Sequence, residues 1–355
     1  MKKVFIIAEA GVNHNGSYNL AKELIDIAKK SGADAVKFQI YKTENYVSIN
    51  ASQANYQKRN GNPYESQFHL IKKYELSYHD HYRLSKYCKK KGIIYLATAF
   101  DLESLHFLVN KIKVKYLKIP SGEINNGLLL LHNSYKKKKI FLSTGMATIK
   151  EIEDALKVIS FGLLGKKNIS KQNFEKAYKS KAGQILLKKY VTLLHCTSSY
   201  PANFKDINLQ AINTLSSTFM LNVGYSDHSR GILVPLLASN MGITVLEKHF
   251  TKSRKLAGPD HIASLEPREL VQMVNNIRSI PLIFGKAKKF ATKSEQNVKK
   301  VARRSIVASK DIKKGEIFNV YNIGVKRPEG GKSPMSYWDI LGKKSKKNYN
   351  KDDFI

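Results

Sequence analysis

Eight short apolar runs recur along the chain, at residues 4–8, 35–40, 93–97, 116–120, 140–143, 190–195, 221–225 and 243–247. Each has the length of a strand. None alternates strictly between apolar and polar residues, which is the pattern of parallel strands covered on both faces. Stretches with helical spacing of apolar residues lie between them, at 18–30, 78–91, 150–161 and 266–280. Pro267 marks a helix start, and Gly92 and Gly242 stand where a helix hands over to a strand. Eight such alternations predict an α/β fold, a TIM (β/α)8 barrel rather than an open sheet.

Two segments break the rhythm. Residues 43–76 are long for a strand-to-helix connection and contain Asn60-Gly61-Asn62-Pro63. A connection of that length in a compact domain is usually functional or mobile. Residues 162–189 form a lysine-rich insertion, expected to be a solvated helical excursion. After Phe284-Gly285 the composition changes to a charged, Ser/Thr-containing stretch, then to short β-like runs at 305–308, 316–318 and 323–325. The expected division is a barrel over 1–285, a linker over 286–300 and a small β-rich domain over 301–355. The core of the last part is thin, so it is expected to lean on something else.

The chain has 355 residues and a formal net charge of +33, which raises the question of a nucleic-acid partner. Nine of the basic residues are arginine and the rest are lysine, scattered over the whole length. Bidentate grip on phosphates and bases leans on arginine. The lysine clusters at 136–139 and 343–347 do not interleave with an aromatic series, so a solvated surface is expected and no nucleic-acid partner. The two cysteines, Cys88 and Cys196, exclude a disulfide scaffold and suit a reducing, cytoplasmic setting. No apolar run approaches the ~18 residues of a membrane span. Glu9 interrupts the apolar run near the N-terminus, and no small-residue cleavage site follows it.

A TIM barrel gathers its chemistry at the C-terminal ends of its strands. Here those ends carry Glu9; Lys37 and Gln39; Thr98 and Asp101; Ser121 and Glu123; Ser143; His195; Ser226 and His228; and Glu247 and His249. So many polar ends predict one polar site at the barrel mouth. His228 and His249, on neighbouring strands, could share one divalent ion with positions left for substrate oxygens, or could simply orient loops. Lys37, Ser121, Ser143 and Ser226 offer an ammonium and hydroxyls to a phosphate. Lys37 could instead pair with Glu9 or form a Schiff base. His14 is expected to stabilise a turn, and His195 to serve either core or site. There is no GxxxxGK[ST] loop, and the segment beginning at Gly11 does not fit GxGxxG, so nucleotide hydrolysis and dinucleotide binding are unsupported.

The motifs EAGVNHNG from Glu9, VKFQ from Val36, IPSGE from Ile119, LSTGM from Leu142, LHCT from Leu194, GYSDH from Gly224, EKHFT from Glu247 and GPDH from Gly258 occur in one order. Taken together they resemble the bacterial sialic acid synthases, of N-acetylneuraminate or legionaminic acid type. The segment from Ser305 to Pro328 resembles that family's antifreeze-like (SAF) domain. The resemblance implies condensation of phosphoenolpyruvate with an N-acetylated hexosamine aldehyde, N-acetylmannosamine in the first instance, releasing phosphate by C–O cleavage. The alternative is legionaminic acid synthesis from 2,4-diacetamido-2,4,6-trideoxymannose.

It also implies roles. Glu123 and Glu9 are the candidate catalytic groups. Lys37, Gln39, Thr98, Ser121, Ser143 and Ser226 are candidates for phosphoenolpyruvate. Asn60, Tyr200, Asp260 and Arg327 are candidates for the sugar, with Arg327 supplied by the partner in a domain-swapped homodimer. His228 and His249 would hold a divalent metal, Mn2+ in the first instance, with Mg2+ or Co2+ as alternatives. The sequence departs from the usual KRPGxG loop, reading KRPEGG with Glu329 beside Arg327. Ser198 stands where some members have asparagine near the sugar.

Overall fold

The computed structural model describes residues 3–53 and 65–355. Strands β1 (Phe5–Gly11), β2 (Ala35–Ile40), β3 (Ile94–Ala99), β4 (Tyr116–Ile119), β5 (Lys139–Ser143), β6 (Val191–Cys196), β7 (Asn222–Asp227) and β8 (Val245–His249) form a closed barrel. All pairings are parallel, and β8 closes on β1 with Phe5 opposite Val245 and Glu9 opposite His249. The expected (β/α)8 architecture is therefore present.

Successive side chains of a strand face opposite ways, so each strand serves two cores. Outward residues such as Val36, Phe38, Ile40, Leu117, Ile140, Leu142 and Leu246 pack under the helices. Inward residues fill the barrel in layers. Its lower end is closed by Phe5, Tyr116 and Phe141, whose rings lie 5.3–6.1 Å apart. Above them sit Ile7, Ala35, Leu96, Leu194 and Val245. A Cβ at Gly224 would fall 2.5 Å from both Leu194 Cδ2 and the Val245 carbonyl, so this layer has no room for a side chain there.

Five strands, β1, β3, β6, β7 and β8, start and end one to three residues later than their apolar runs suggest. The ladders continue into Glu9, Thr98, Cys196, Asp227 and His249. Apolar content ends there, but backbone pairing does not.

Helices cover the outside with local signals intact. Tyr18–Lys30 is capped by the Ser17 hydroxyl, which accepts from the Leu20 N–H. Tyr78–Lys91 is capped by Ser77 and ends at Gly92, whose φ of 67° suits glycine. The insertion departs from the solvated excursion expected of it. Its helices Lys171–Lys179 and Lys181–Tyr190 bury Ala177 and Leu187, and Phe174 meets Phe161 edge-on at 5.0 Å. Lys157 ties it down through Glu175 at 2.7 Å. Its lysines face water while a thin apolar seam docks on the preceding helix.

The chain divides into two compact units, Met1–Phe284 and Gly285–Ile355. In the second, β9 (Ser305–Ala308) and β10 (Ile323–Lys326) pair antiparallel over a core of Ile306, Ala308, Ile312, Phe318, Ile323, Ile340 and Ile355. The run at 316–318 forms no strand; it makes one bridge, Ile317 to Lys344, and turns Phe318 inward. Part of the expected linker is the helix Glu295–Ala302.

Candidate active site

The strand ends and the long connection after β2 enclose a cavity of about 390 Å3 at the C-terminal mouth of the barrel. Glu9, Lys37, Gln39, Thr98, Ser121, Glu123, Ser143, Tyr200, Ser226, His228, His249 and Asp260 all line it. Asn60 lies outside the described residues. Arg327 belongs to the second unit and is exposed there.

At the floor, two lysines and two carboxyls meet. Lys37 Nζ lies 3.0 Å from Glu9 Oε1 and 3.4 Å from Glu247 Oε2, and Lys118 Nζ lies 2.7 Å from Glu247 Oε1. Thr98 accepts from Lys37 at 3.0 Å, and Ser226 donates to Glu247 at 2.8 Å. All four charged side chains are buried. Burial raises the Glu9 carboxyl to about 8, against the pull of Lys37. Burial acts on Glu247 in the same sense, but Lys118 and Lys37 outweigh it and hold that carboxyl well below the usual range. Burial depresses Lys118, whereas for Lys37 the two carboxylates overcome it and raise the ammonium. Among the described residues the buried Ser143 hydroxyl has no hydrogen-bond partner, which leaves a donor for a ligand in the cavity that the two ammoniums line.

The pairing of Lys37 with Glu9, one of the alternatives the sequence left open, is thus present. Lys118 was not anticipated. A lysine inside an otherwise apolar strand is the signal for it, since buried lysines need partners. In the sequence Glu247 stands only as one of the polar strand ends.

On one side of the floor stand the two imidazoles, with ring centroids 5.7 Å apart. Tyr200 lies 4.1 Å from the His228 ring. His228 Nδ1 is 2.7 Å from the Thr197 carbonyl. That oxygen only accepts, so Nδ1 donates and Nε2 keeps its lone pair. His249 Nδ1 is buried and has no hydrogen-bond partner among the described residues. Burial lowers both rings, His228 to about 4, and keeps them in the neutral form a metal requires. Among the described residues no three His, Cys, Asp or Glu gather into a metal cage. Two neutral imidazoles, one with an orphaned nitrogen, fit a divalent ion whose remaining positions go to substrate or water.

Glu123 sits in the short turn Ser121–Glu123 after β4, half-buried, and accepts from Asn126 Nδ2 at 2.7 Å. Ser121 Oγ accepts from the Gly145 N–H at 3.0 Å and lies 3.1 Å from Cys196 Sγ. The NeuB family profile matches residues 24–289 and the SAF domain profile residues 303–355. The chain belongs to the NeuB family. It is 48% identical over 355 residues, all of this chain and 99% of the other, to N,N'-diacetyllegionaminic acid synthase of Campylobacter jejuni. It is 42% identical to the Legionella pneumophila protein of the same name, over 97% of this chain and 91% of that one. A crystal structure of N-acetylneuraminic acid synthetase from Leptospira borgpetersenii with citrate matches at a TM-score of 0.65 and 37% identity, covering 84% of this chain and 90% of that one.

Within this NeuB-family barrel the opposite wall is aromatic. Tyr41, Tyr46 and Phe100 pack with centroids 4.5–6.1 Å apart. The helix Gln67–Lys73 adds Leu70 and Ile71, and Tyr74 follows it. Tyr46, Gln67, Leu70, Ile71 and Tyr74 of the long connection are therefore cavity wall. Its period-free sequence carried no sign of which side chains face inward. Asp260 completes the rim, 6% exposed, and burial raises its carboxyl to about 6.

His14 stabilises its turn, accepting from the Gly16 N–H at Nδ1. His195 bonds the Ile207 carbonyl at 2.7 Å and does not line the cavity. The departure at Glu329 is accommodated. Its φ is not in the left-handed region, and its carboxylate lies 3.8 Å from Lys299 and 3.9 Å from Arg303. No helix among the described residues is long and apolar enough to cross a membrane.

Proposed function

We propose that the protein condenses phosphoenolpyruvate with an open-chain acetamido sugar aldehyde, forming a nonulosonic acid and phosphate. One observation carries this reading. A buried donor cluster for an anion, made of Lys37, Lys118 and the Ser143 hydroxyl, which has no partner among the described residues, lies in the same cavity as two neutral imidazoles and Glu123. The named relatives support the legionaminic acceptor, 2,4-diacetamido-2,4,6-trideoxymannose, over N-acetylmannosamine.

The phosphate of the enol ester would displace the floor carboxylates as partner of the two ammoniums, with Ser121, Ser143 and Ser226 as further donors. A divalent ion held by His228 and His249, Mn2+ in the first instance, would supply Lewis-acid polarisation of the acceptor aldehyde. C3 of phosphoenolpyruvate attacks the aldehyde carbon, a C–C bond forms, and the aldehyde oxygen takes up a proton. Glu9, whose carboxyl burial raises to about 8, would give it. Water then adds at C2, losing a proton to Glu123. The resulting tetrahedral centre expels phosphate by breaking its C–O bond and leaves the 2-keto acid. Tyr200 and Asp260 line the acceptor side. Arg327 of the partner subunit would complete the acetamido contacts in a domain-swapped homodimer.

The test is turnover of phosphoenolpyruvate with a panel of acetamido sugars, read by product mass and released phosphate. A nonulosonic acid from the diacetamido sugar, with bridging-oxygen label appearing in phosphate, is the expected result. Phosphoenolpyruvate left intact with every sugar, with Mn2+ present, would overturn the proposal.

A further inference from the structure

The ladder between β7 and β8 ends at the pair Asp227 and Lys248. His228 follows Asp227 and has already left its strand, whereas His249 is the last residue of β8. Sheet hydrogen bonding alone therefore does not set where one ring lies relative to the other. Side chains alternate, so the residues beside the two histidines point the opposite way, out of the barrel and under the helices. There Lys248 Nζ meets Asp227 Oδ2 at 2.5 Å, with both side chains fully buried.

The Asp227 carboxylate also accepts from the Tyr225 hydroxyl at 3.1 Å, the Ser229 N–H at 3.1 Å and the Ser229 hydroxyl at 3.0 Å. Lys248 Nζ donates in addition to the Ser229 carbonyl. His228 is thereby bracketed: the residues before and after it are both fastened to the residue that precedes His249. Neither Asp227 nor Lys248 reaches the cavity.

Stability is a poor reason for such a pair. Desolvating two ions costs several kcal/mol each, and well-packed apolar side chains often hold a fold as well or better. What an apolar pair lacks is direction, because a charged pair with shared hydrogen bonds tolerates little change in distance or angle.

We propose that the Asp227–Lys248 pair is a positioning strut for the imidazole pair: it fixes the turn bearing His228 against β8 so that both rings can ligate one divalent cation. This rests on reading His228 and His249 as a cation seat.

The full-length chain tests it through Mn2+ affinity, measured by loss of the free-ion paramagnetic resonance signal. The uncharged double variant Asp227→Asn/Lys248→Met leaves no buried ion behind, and Tyr225→Phe removes only one hydrogen bond to the carboxylate. His249→Ala is the control for the seat itself. The wild type should bind one Mn2+ per chain and His249→Ala none. The folded double variant should bind at least tenfold more weakly and Tyr225→Phe two- to threefold more weakly. kcat should fall in parallel, with KM for phosphoenolpyruvate unchanged. A double variant with a lower Tm but wild-type Mn2+ affinity would show a merely structural pair and overturn the strut. If the double variant does not fold, unchanged Mn2+ affinity in Tyr225→Phe would overturn it. Absence of Mn2+ binding by the wild type would overturn the seat and the strut together.

Discussion

Lys118 and Glu247 reach each other across the inside of the barrel, from β4 and β8, with Nζ and Oε1 2.7 Å apart. They are 129 residues apart in sequence. The bond spans the floor of the cavity and, with Lys37, holds the Glu247 carboxyl well below the usual range.

Removing one end should be costly. Lys118→Met leaves Glu247 with Lys37 alone and is expected to lower stability by about 3–5 kcal/mol, the usual effect of stripping one partner from a buried pair. The matched Lys118→Met/Glu247→Gln variant should recover most of that loss. Urea titrations check this. Both variants should raise KM for phosphoenolpyruvate at least tenfold. A double variant as unstable as the single would refute the pairing.

Glu123 lies at the rim and carries little of the fold. Glu123→Gln is expected to reduce phosphate release by roughly 100- to 10,000-fold, the range for loss of a general acid or base. The circular dichroism spectrum and Tm should not change. Near-normal turnover would remove Glu123 from the chemistry.

His81 is buried with Nδ1 2.8 Å from the Tyr95 hydroxyl, and burial lowers it to about 3. In the unfolded chain a histidine titrates near ~6.5. The folded state therefore binds fewer protons between those values. Its contribution is complete above the unfolded pKa and is lost as pH falls through the window, at up to about 1.4 kcal/mol per pH unit. His81→Gln should flatten the dependence of unfolding free energy on pH between 6 and 4. An unaltered slope would show that His81 is accessible to protons when folded.

Arg327 and Glu123 test the exchange of units between chains. Neither an Arg327→Ala chain nor a Glu123→Gln chain should turn over well alone. A verified heterodimer of the two should regain a measurable fraction of wild-type rate, because one barrel in it receives an intact arginine. No recovery would argue for a site completed within one chain.

Sequence alone determined the barrel and most of the lining. Parallel strands buried on both sides are mostly apolar where they meet a helix or the lower layers of the barrel, so their runs are visible without alignment. Polar residues at the end of each run mark the mouth, because only there do they reach solvent or a ligand. Tertiary structure alone decided which charges meet. Lys118 finds Glu247, and Asp227 finds Lys248, only once the sheet closes and register sets which side chains share a layer. It also decided that the insertion docks rather than floats, since one apolar seam among many lysines is too faint a pattern to read along a single helix. Local spacing is a property of the chain, whereas partnership across a closed cylinder depends on strand order and stagger.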